Sequence, residues 1–339
     1  MSTEAKPTQV AVFGTGSWGT AFSAVLADAG ARVTMWGKFA DEVEDIQLNH
    51  CSSRYLPDLI LPENVTATLD PAEALDGAAI AVLAVPAQTL RGNLAEWGGS
   101  IGPDTLIASL MKGIELGTTK RMSEVIHEAA GVEPDRIAVI SGPNLAKEIA
   151  RKEPAATVIA STCATTRERV AQACATAYFR PYTNPDVVGC ELGGAVKNVV
   201  ALAVGMAEGL GLGDNSKAAI ITRGLAEMQR LGVAMGADPL TFAGLAGVGD
   251  LVVTCMSPLS RNNTFGRKLG SGMTVEEVIA DTQQTAEGVK SCQAVLELAR
   301  AHGVDMPIVE NMTAVVYDGR SPREVGHLLM SRARKSERR

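Results

Sequence analysis

The chain has 339 residues, 46 % apolar and 20 % charged, a composition that excludes a disordered or fibrous protein. It is longer than one hydrophobic core usually serves, so two domains are expected, with an aliphatic core because aromatic residues are only 4 %. A net charge of −7 gives no electrostatic footprint for nucleic acid or an anionic membrane surface, and any anionic ligand needs a local cationic pocket.

The opening residues MSTEAKPTQ show neither the basic nor the apolar region of a secretion signal, and apolar runs are interrupted by Lys197, Asn198 or glycines. A cytoplasmic protein without a membrane span is therefore expected. Six scattered cysteines lack C-x-x-C spacing and four histidines form no zinc pattern, so reduced thiols and no metal are expected.

In chain order, QVAVFG (9–14), RVTMWG (32–37), AIAVLAV (79–85), TLIASL (105–110), RIAVIS (136–141) and ATVIAS (156–161) are short aliphatic runs separated by helical patterns. Such alternation predicts a parallel sheet with crossover helices, covered on both faces. AYFRPYT (177–183) is a weaker strand in which Pro181 argues for an edge. From about Glu191 the strand pattern stops, and helices are expected over 191–208, 215–236, 239–247, 262–270, 274–281, 288–303, 307–318 and 321–333. The basic tail RARKSERR reads as a solvated end.

In VAVFGTGSWGTAFSAVLADAG, Gly14, Gly16 and Gly19 have G-x-G-x-x-G spacing between a strand and a helix. The first glycine permits a tight turn, the second lets backbone approach a pyrophosphate, and the third allows close helix–strand packing. The fold class is thus α/β plus all-α: a Rossmann-type dinucleotide-binding domain over 1–190, then a helical substrate domain over 191–339. The second strand ends in Gly37 and Lys38 rather than an acidic residue. That argues against strict NAD selectivity, so NADP(H) or NAD(H) is expected, and Lys38 is either a 2′-phosphate partner or a solvated loop lysine.

Loops at the carboxyl ends of later strands hold Lys112 in MKG, and Gly142 and Asn144 in SGPN, where open α/β sheets bind ligands. Lys197 lies in CELGGAVKNVVALAVGMAEGLGLG, small or apolar on every helix face, so it is buried. Desolvation disfavours its charge and a carboxylate restores it, which tunes a lysine for proton transfer. Asp250, a lone charge in GLAGVGDLVVTC, is the nominated partner, with a structural ion pair as the alternative. Ser260, Arg261 and Asn262 together offer a hydroxyl, a guanidinium fork and an amide for phosphate oxygens.

These segments, with LPDLILPENV, KGIELGT, VISGPNLAKEIA and ELGGAVKNVVALAVGMAEGLGLGDNSKAAIITRGLAEM, resemble the bacterial NAD(P)-dependent glycerol-3-phosphate dehydrogenases over nearly the whole chain. The resemblance implies a 6-phosphogluconate dehydrogenase-like helical half. It also implies reversible reduction of dihydroxyacetone phosphate to sn-glycerol 3-phosphate for glycerophospholipid synthesis, by a cytoplasmic homodimer. By the same resemblance Lys197 matches the general acid/base. Lys112, Gly142, Asn144, Asp250, Ser260, Arg261 and Asn262 match substrate contacts. Ser17, Trp18, Lys38, Lys112, Ala146, Arg261, Thr285 and Glu287 match cofactor contacts, with Tyr55 beside them. Met111 stands where the family more often has a small residue and Thr285 where it often has valine. The rivals are a β-hydroxyacid or 6-phosphogluconate-type dehydrogenase, which carries an asparagine one turn after its lysine where this chain has Ala201, and a catalytically silent NADP(H) sensor.

Overall fold

Residues 7–282 and 286–325 are described by the structure, a computed structural model. The apolar runs of the first half form β1 (Gln9–Phe13), β2 (Arg32–Trp36), β6 (Ile80–Leu83), β7 (Leu106–Ser109), β8 (Ile137–Ser141), β9 (Ala155–Ala160) and β10 (Phe179–Asn184). Three further strands, β3 (Cys51–Ser52), β4 (Leu56–Ile60) and β5 (Val65–Thr68), lie between β2 and β6. Eight strands make one sheet in the order β10-β9-β8-β7-β6-β1-β2-β5, and β3 and β4 form a separate antiparallel hairpin. The chain leaves β1 for β2 on one side and later returns to β6 on the other. The crevice at that reversal is where a doubly wound sheet accepts a ligand.

The expected all-parallel sheet needs one correction: β9 runs antiparallel to β8, and β10 follows β9 in parallel. A parallel return requires a crossover long enough to traverse the sheet. Residues 142–154 contain only the five-residue helix Ala146–Ala150, so the chain turns back at the same edge and leaves the SGPN loop there. β10 is an edge strand, where Pro181 and its missing N–H are tolerated.

The helical half is organised around Val187–Gly209, buried without interruption from Gly189 to Ala207. By length and composition this 23-residue helix could cross a membrane, contrary to the expectation that no apolar run is long enough, yet 89 % of its most apolar window is enclosed by protein. Around it lie helices Asp214–Ala234, Asp250–Met256, Arg261–Gly270, Glu287–Ala301 and Pro307–Tyr317. Glycines set its distance from Arg261–Gly270. A Cβ on Gly205, Gly209 or Gly266 would come within 2.1 Å of a carbonyl oxygen on the facing helix. The helix expected over 239–247 is instead a 3₁₀ turn, Pro239–Ala243, followed by a π turn, Leu245–Gly249. Most of the helix expected over 321–333, and the basic tail, lie outside the described residues.

Candidate active site

The glycine loop sits at the carboxyl end of β1. Gly14 has φ +121°, and a Cβ there would lie 2.8 Å from Ala84 O, while one on Gly19 would lie 2.3 Å from Gly14 O. Nothing lies within 4 Å of the corresponding point on Gly16. Two glycines therefore close the turn, and the third leaves backbone open to a ligand, which fits a dinucleotide pyrophosphate. Helix Ser17–Asp28 starts there with no side-chain cap on its first N–H groups. Ser17 and Trp18 form its first turn, half-buried, and the indole Nε1 of Trp18 is buried without a protein partner. Lys38 is exposed just beyond β2.

Tyr55, on the β3–β4 hairpin, donates its hydroxyl to Glu42 at 3.1 Å, and Glu42 also accepts from Thr15 of the glycine loop. Burial and Glu42 hold the Tyr55 hydroxyl above its usual range against the nearby charges of Arg54 and Arg261. Glu42 was not foreseen. Its position in the first turn of helix Ala40–Asn49 was a sequence signal only for helix stability.

Three distant segments meet at the centre of the site. Lys112 lies three residues beyond β7, Lys197 is in the middle of Val187–Gly209, and Asp250 opens helix Asp250–Met256. Asp250 accepts from Lys197 Nζ through Oδ1 and from Lys112 Nζ through Oδ2, the latter at 2.7 Å. Lys112 also donates to Gly142 O at 3.0 Å, and Lys197 to Thr254 Oγ1 at 2.8 Å. Lys197 is 6 % exposed and Asp250 1 %.

Two cations thus share one carboxylate. Burial pushes the Lys197 ammonium down to about 8, with Asp250 opposing and Lys112 reinforcing the shift. Burial acts to raise Asp250, but the two ammonium groups outweigh it and hold the carboxyl below its usual range. The cluster therefore keeps a net positive charge where a carbonyl oxygen would become an anion, with a proton held weakly enough to give up.

Thr254 was also missed. It stands one turn after Asp250, and its position became legible only once Asp250–Met256 was seen to be helical. The π turn before that helix leads into Asp250, and Ala246 O lies so close to Gly193 that a Cβ there would approach to 2.3 Å.

Asn144 accepts through Oδ1 from Thr157 Oγ1 at 2.9 Å, so β9 orients it beside Gly142. Gly142, at φ +134°, makes the turn that aims its carbonyl at Lys112. Ser260 caps helix Arg261–Gly270, its Oγ accepting from Asn263 N at 3.2 Å. Asn262 donates to Asn198 Oδ1 and accepts from Gly288 N, both at 2.9 Å, and Asn198 reaches Lys112 O at 3.4 Å. This chain joins the Ser260–Asn262 loop and the helix start at Glu287 to the lysines. Arg261 is exposed at the same helix N-terminus, Glu287 is half-buried, and Ala146 opens the short helix after SGPN. No hydrogen bond among the described residues links Lys38, Tyr55, Ser17, Trp18 or Ala146 directly to the lysine cluster, and Thr285 lies outside the described residues.

Models of the N-terminus and the C-terminus of NAD-dependent glycerol-3-phosphate dehydrogenase match residues 9–167 and 186–327. A relative from Streptomyces griseus named glycerol-3-phosphate dehydrogenase (NAD(P)+) is 63 % identical over 333 residues, 98 % of this chain and 99 % of its own length. The chain belongs to the NAD-dependent glycerol-3-phosphate dehydrogenase family. Another family member, from Corynebacterium diphtheriae, is 54 % identical over 97 % of this chain and 100 % of its own. The crystal structure of glycerol-3-phosphate dehydrogenase from Coxiella burnetii superposes with a TM-score of 0.92 at 36 % identity, covering 96 % of this chain and 99 % of that one. A D-mandelate dehydrogenase, at 14 % identity and a TM-score of 0.65, shares the fold alone.

Proposed function

We propose that this protein reversibly reduces dihydroxyacetone phosphate to sn-glycerol 3-phosphate with NADPH or NADH, supplying glycerophospholipid synthesis. The observation that carries the reading is the buried Lys112–Asp250–Lys197 cluster at the ligand edge of the sheet. A bound reduced nicotinamide supplies the hydride. Gly14, Gly16 and the first N–H groups of helix Ser17–Asp28 would hold the pyrophosphate, with Ser17, Trp18, Lys38, Tyr55, Ala146, Arg261 and Glu287 along the rest of the coenzyme. Ser260, Arg261 and Asn262 bind the substrate phosphate, far enough from the reacting carbon for that binding energy to fix orientation. Gly142 and Asn144 line the same pocket.

Lys197 gives its proton to the oxygen that becomes the C2 hydroxyl, and Lys112 adds positive charge beside that oxygen. Asp250 and Thr254 hold the Lys197 ammonium in place. In the oxidative direction neutral Lys197 takes the proton.

In this reading the cofactor-binding half is 1–190 and the helical half 191–339, a division one turn into the central helix Val187–Gly209. A cytoplasmic homodimer completes the reading. Exposed apolar side chains on the helical half, Leu240, Val252, Met256 and Leu259, give a second copy a surface to cover. Light scattering should then report twice the 35.4 kDa chain mass. Loss of reduced-nicotinamide absorbance with dihydroxyacetone phosphate tests the activity. Turnover is expected, and its absence in protein that binds coenzyme would overturn the assignment.

A further inference from the structure

Lys112 and Lys197 come from different halves of the molecule, so something must set the distance between them. Six residues before Lys197 on the same helix is Glu191, whose side chain is 2 % exposed and whose carboxylate is held by Arg121 and Ser123 of the other half. It accepts from Arg121 Nη1 at 2.6 Å, Ser123 N at 2.8 Å and Ser123 Oγ at 2.6 Å. Arg121 in turn pairs with Glu124 at 2.9 Å.

The segment 112–121 joins this anchor to the catalytic cluster. An isolated antiparallel bridge pairs Arg121 with Ile114, two residues from Lys112. Gln88 then clamps the strand-like backbone beyond it, its amide donating to Ile114 O at 2.8 Å and accepting from Leu116 N at 3.0 Å. Arg91 grips Glu115 with two bonds of 2.9 Å. Between the two attachment points the central helix passes against Lys112 itself: a Cβ on Gly194 would lie 3.1 Å from Lys112 Cγ. The contacts close a ring, from Glu191 to Arg121, across the bridge to Ile114 and Lys112, through Asp250 to Lys197, and back along the helix.

We propose that Glu191 and Arg121 are positioning residues that hold Lys112 and Lys197 at their working separation by fixing the central helix against segment 112–121. Neither touches the reacting atoms. A buried carboxylate with three donors is a stiff anchor, and its removal would let the helix shift relative to the segment that carries Lys112. This inference rests on the proposed reductase activity.

The test compares wild type with Glu191→Gln, which keeps the size and one acceptor but loses the charge, and with Glu191→Asp, which keeps the charge. Misplacement by a fraction of an ångström to 1 Å predicts a kcat about ten- to a hundredfold lower for Glu191→Gln, with the coenzyme dissociation constant unchanged. The primary isotope effect with 4-deuterated NADH should rise, because hydride transfer becomes slower relative to release, and Glu191→Asp should recover part of kcat. A purely structural anchor would lower the melting temperature and leave kcat, isotope effect and rescue unmoved. That result overturns the proposal. Should Glu191→Gln fail to fold, Ser123→Ala, which removes one donor and keeps the backbone bond, is expected to lower kcat about two- to threefold, and an unchanged kcat there overturns the proposal equally. Absence of wild-type turnover in protein that binds coenzyme would overturn the activity and this inference with it. Wild-type turnover with an unaltered Glu191→Gln would overturn this inference alone.

Discussion

The two halves of the molecule use glycine for opposite purposes. In the sheet half, Gly14 and Gly19 close a turn so that the backbone at Gly16 faces open space. In the helical half, Gly205, Gly209 and Gly266 let Val187–Gly209 and Arg261–Gly270 approach until a Cβ would strike backbone. One half thins its backbone to admit a ligand, and the other to exclude everything. The chemistry divides in the same way: the sheet half presents N–H groups and Lys112, while the helical half supplies Lys197, Asp250 and Thr254 from a closely packed interior.

If that division is real, the largest effect belongs to Lys197→Ala. Its kcat should fall by about 10²–10⁴-fold while the coenzyme dissociation constant, read by nucleotide fluorescence, stays within about twofold. Retained turnover would break the assignment of the helical half as the seat of chemistry. Next comes Gly205→Ala, which should destabilise the fold by about 3 kcal/mol in chemical denaturation, because the new methyl meets Asn263 O and helix backbone yields poorly. Gly16→Ala, by contrast, should shift stability by less than about 0.5 kcal/mol and instead weaken coenzyme binding. Equal stability losses at the two sites would erase the contrast.

The pH dependence sharpens it further. As the proposed acid and base, Lys197 must be protonated to reduce and neutral to oxidise, and burial lowers it to about 8. Reduction of dihydroxyacetone phosphate should therefore be fully active a pH unit or more below 8 and lose activity as pH rises through it. Oxidation of glycerol 3-phosphate should gain activity over the same interval. Coincident profiles in the two directions would remove Lys197 from the proton transfer. A smaller effect than at Lys197 is expected at Lys38, exposed beyond β2: Lys38→Ala should lower kcat/KM for NADPH about fivefold against NADH, the scale of one solvent-screened charge. An unchanged ratio would make it a loop lysine.

Much of this is legible in the amino-acid sequence, for physical reasons. Lys197 and Asp250 are isolated charges in apolar surroundings, and burial of that kind demands a partner, so each pointed to the other. The strands that were recognised are continuous aliphatic runs. Those that were not leave no apolar run: β3 is only Cys51–Ser52, β4 contains Pro57 and exposes three of its five residues, and β5 alternates threonines. The direction of β9 was invisible because an apolar run reads alike in either sense. Thr254 and Glu42 escaped because a threonine or a first-turn glutamate is ordinary until its neighbours in space are known. The Ser260–Asn262 loop is less free than its composition suggests: Ser260 caps its own helix, and Asn262 is tied to Asn198 and Gly288.

The central helix has a consequence for how the chain is made. Before the helices that enclose it have been synthesised, Val187–Gly209 is a 23-residue segment with the length and composition of a bilayer span. A lysine near the middle of such a segment raises the cost of insertion by about 2.5–3.5 kcal/mol. Lys197 stands near that midpoint, followed at once by Asn198. The side chain to which proton transfer is assigned in the proposed reaction thus also biases the nascent segment toward water, and Lys197→Ala would remove that bias.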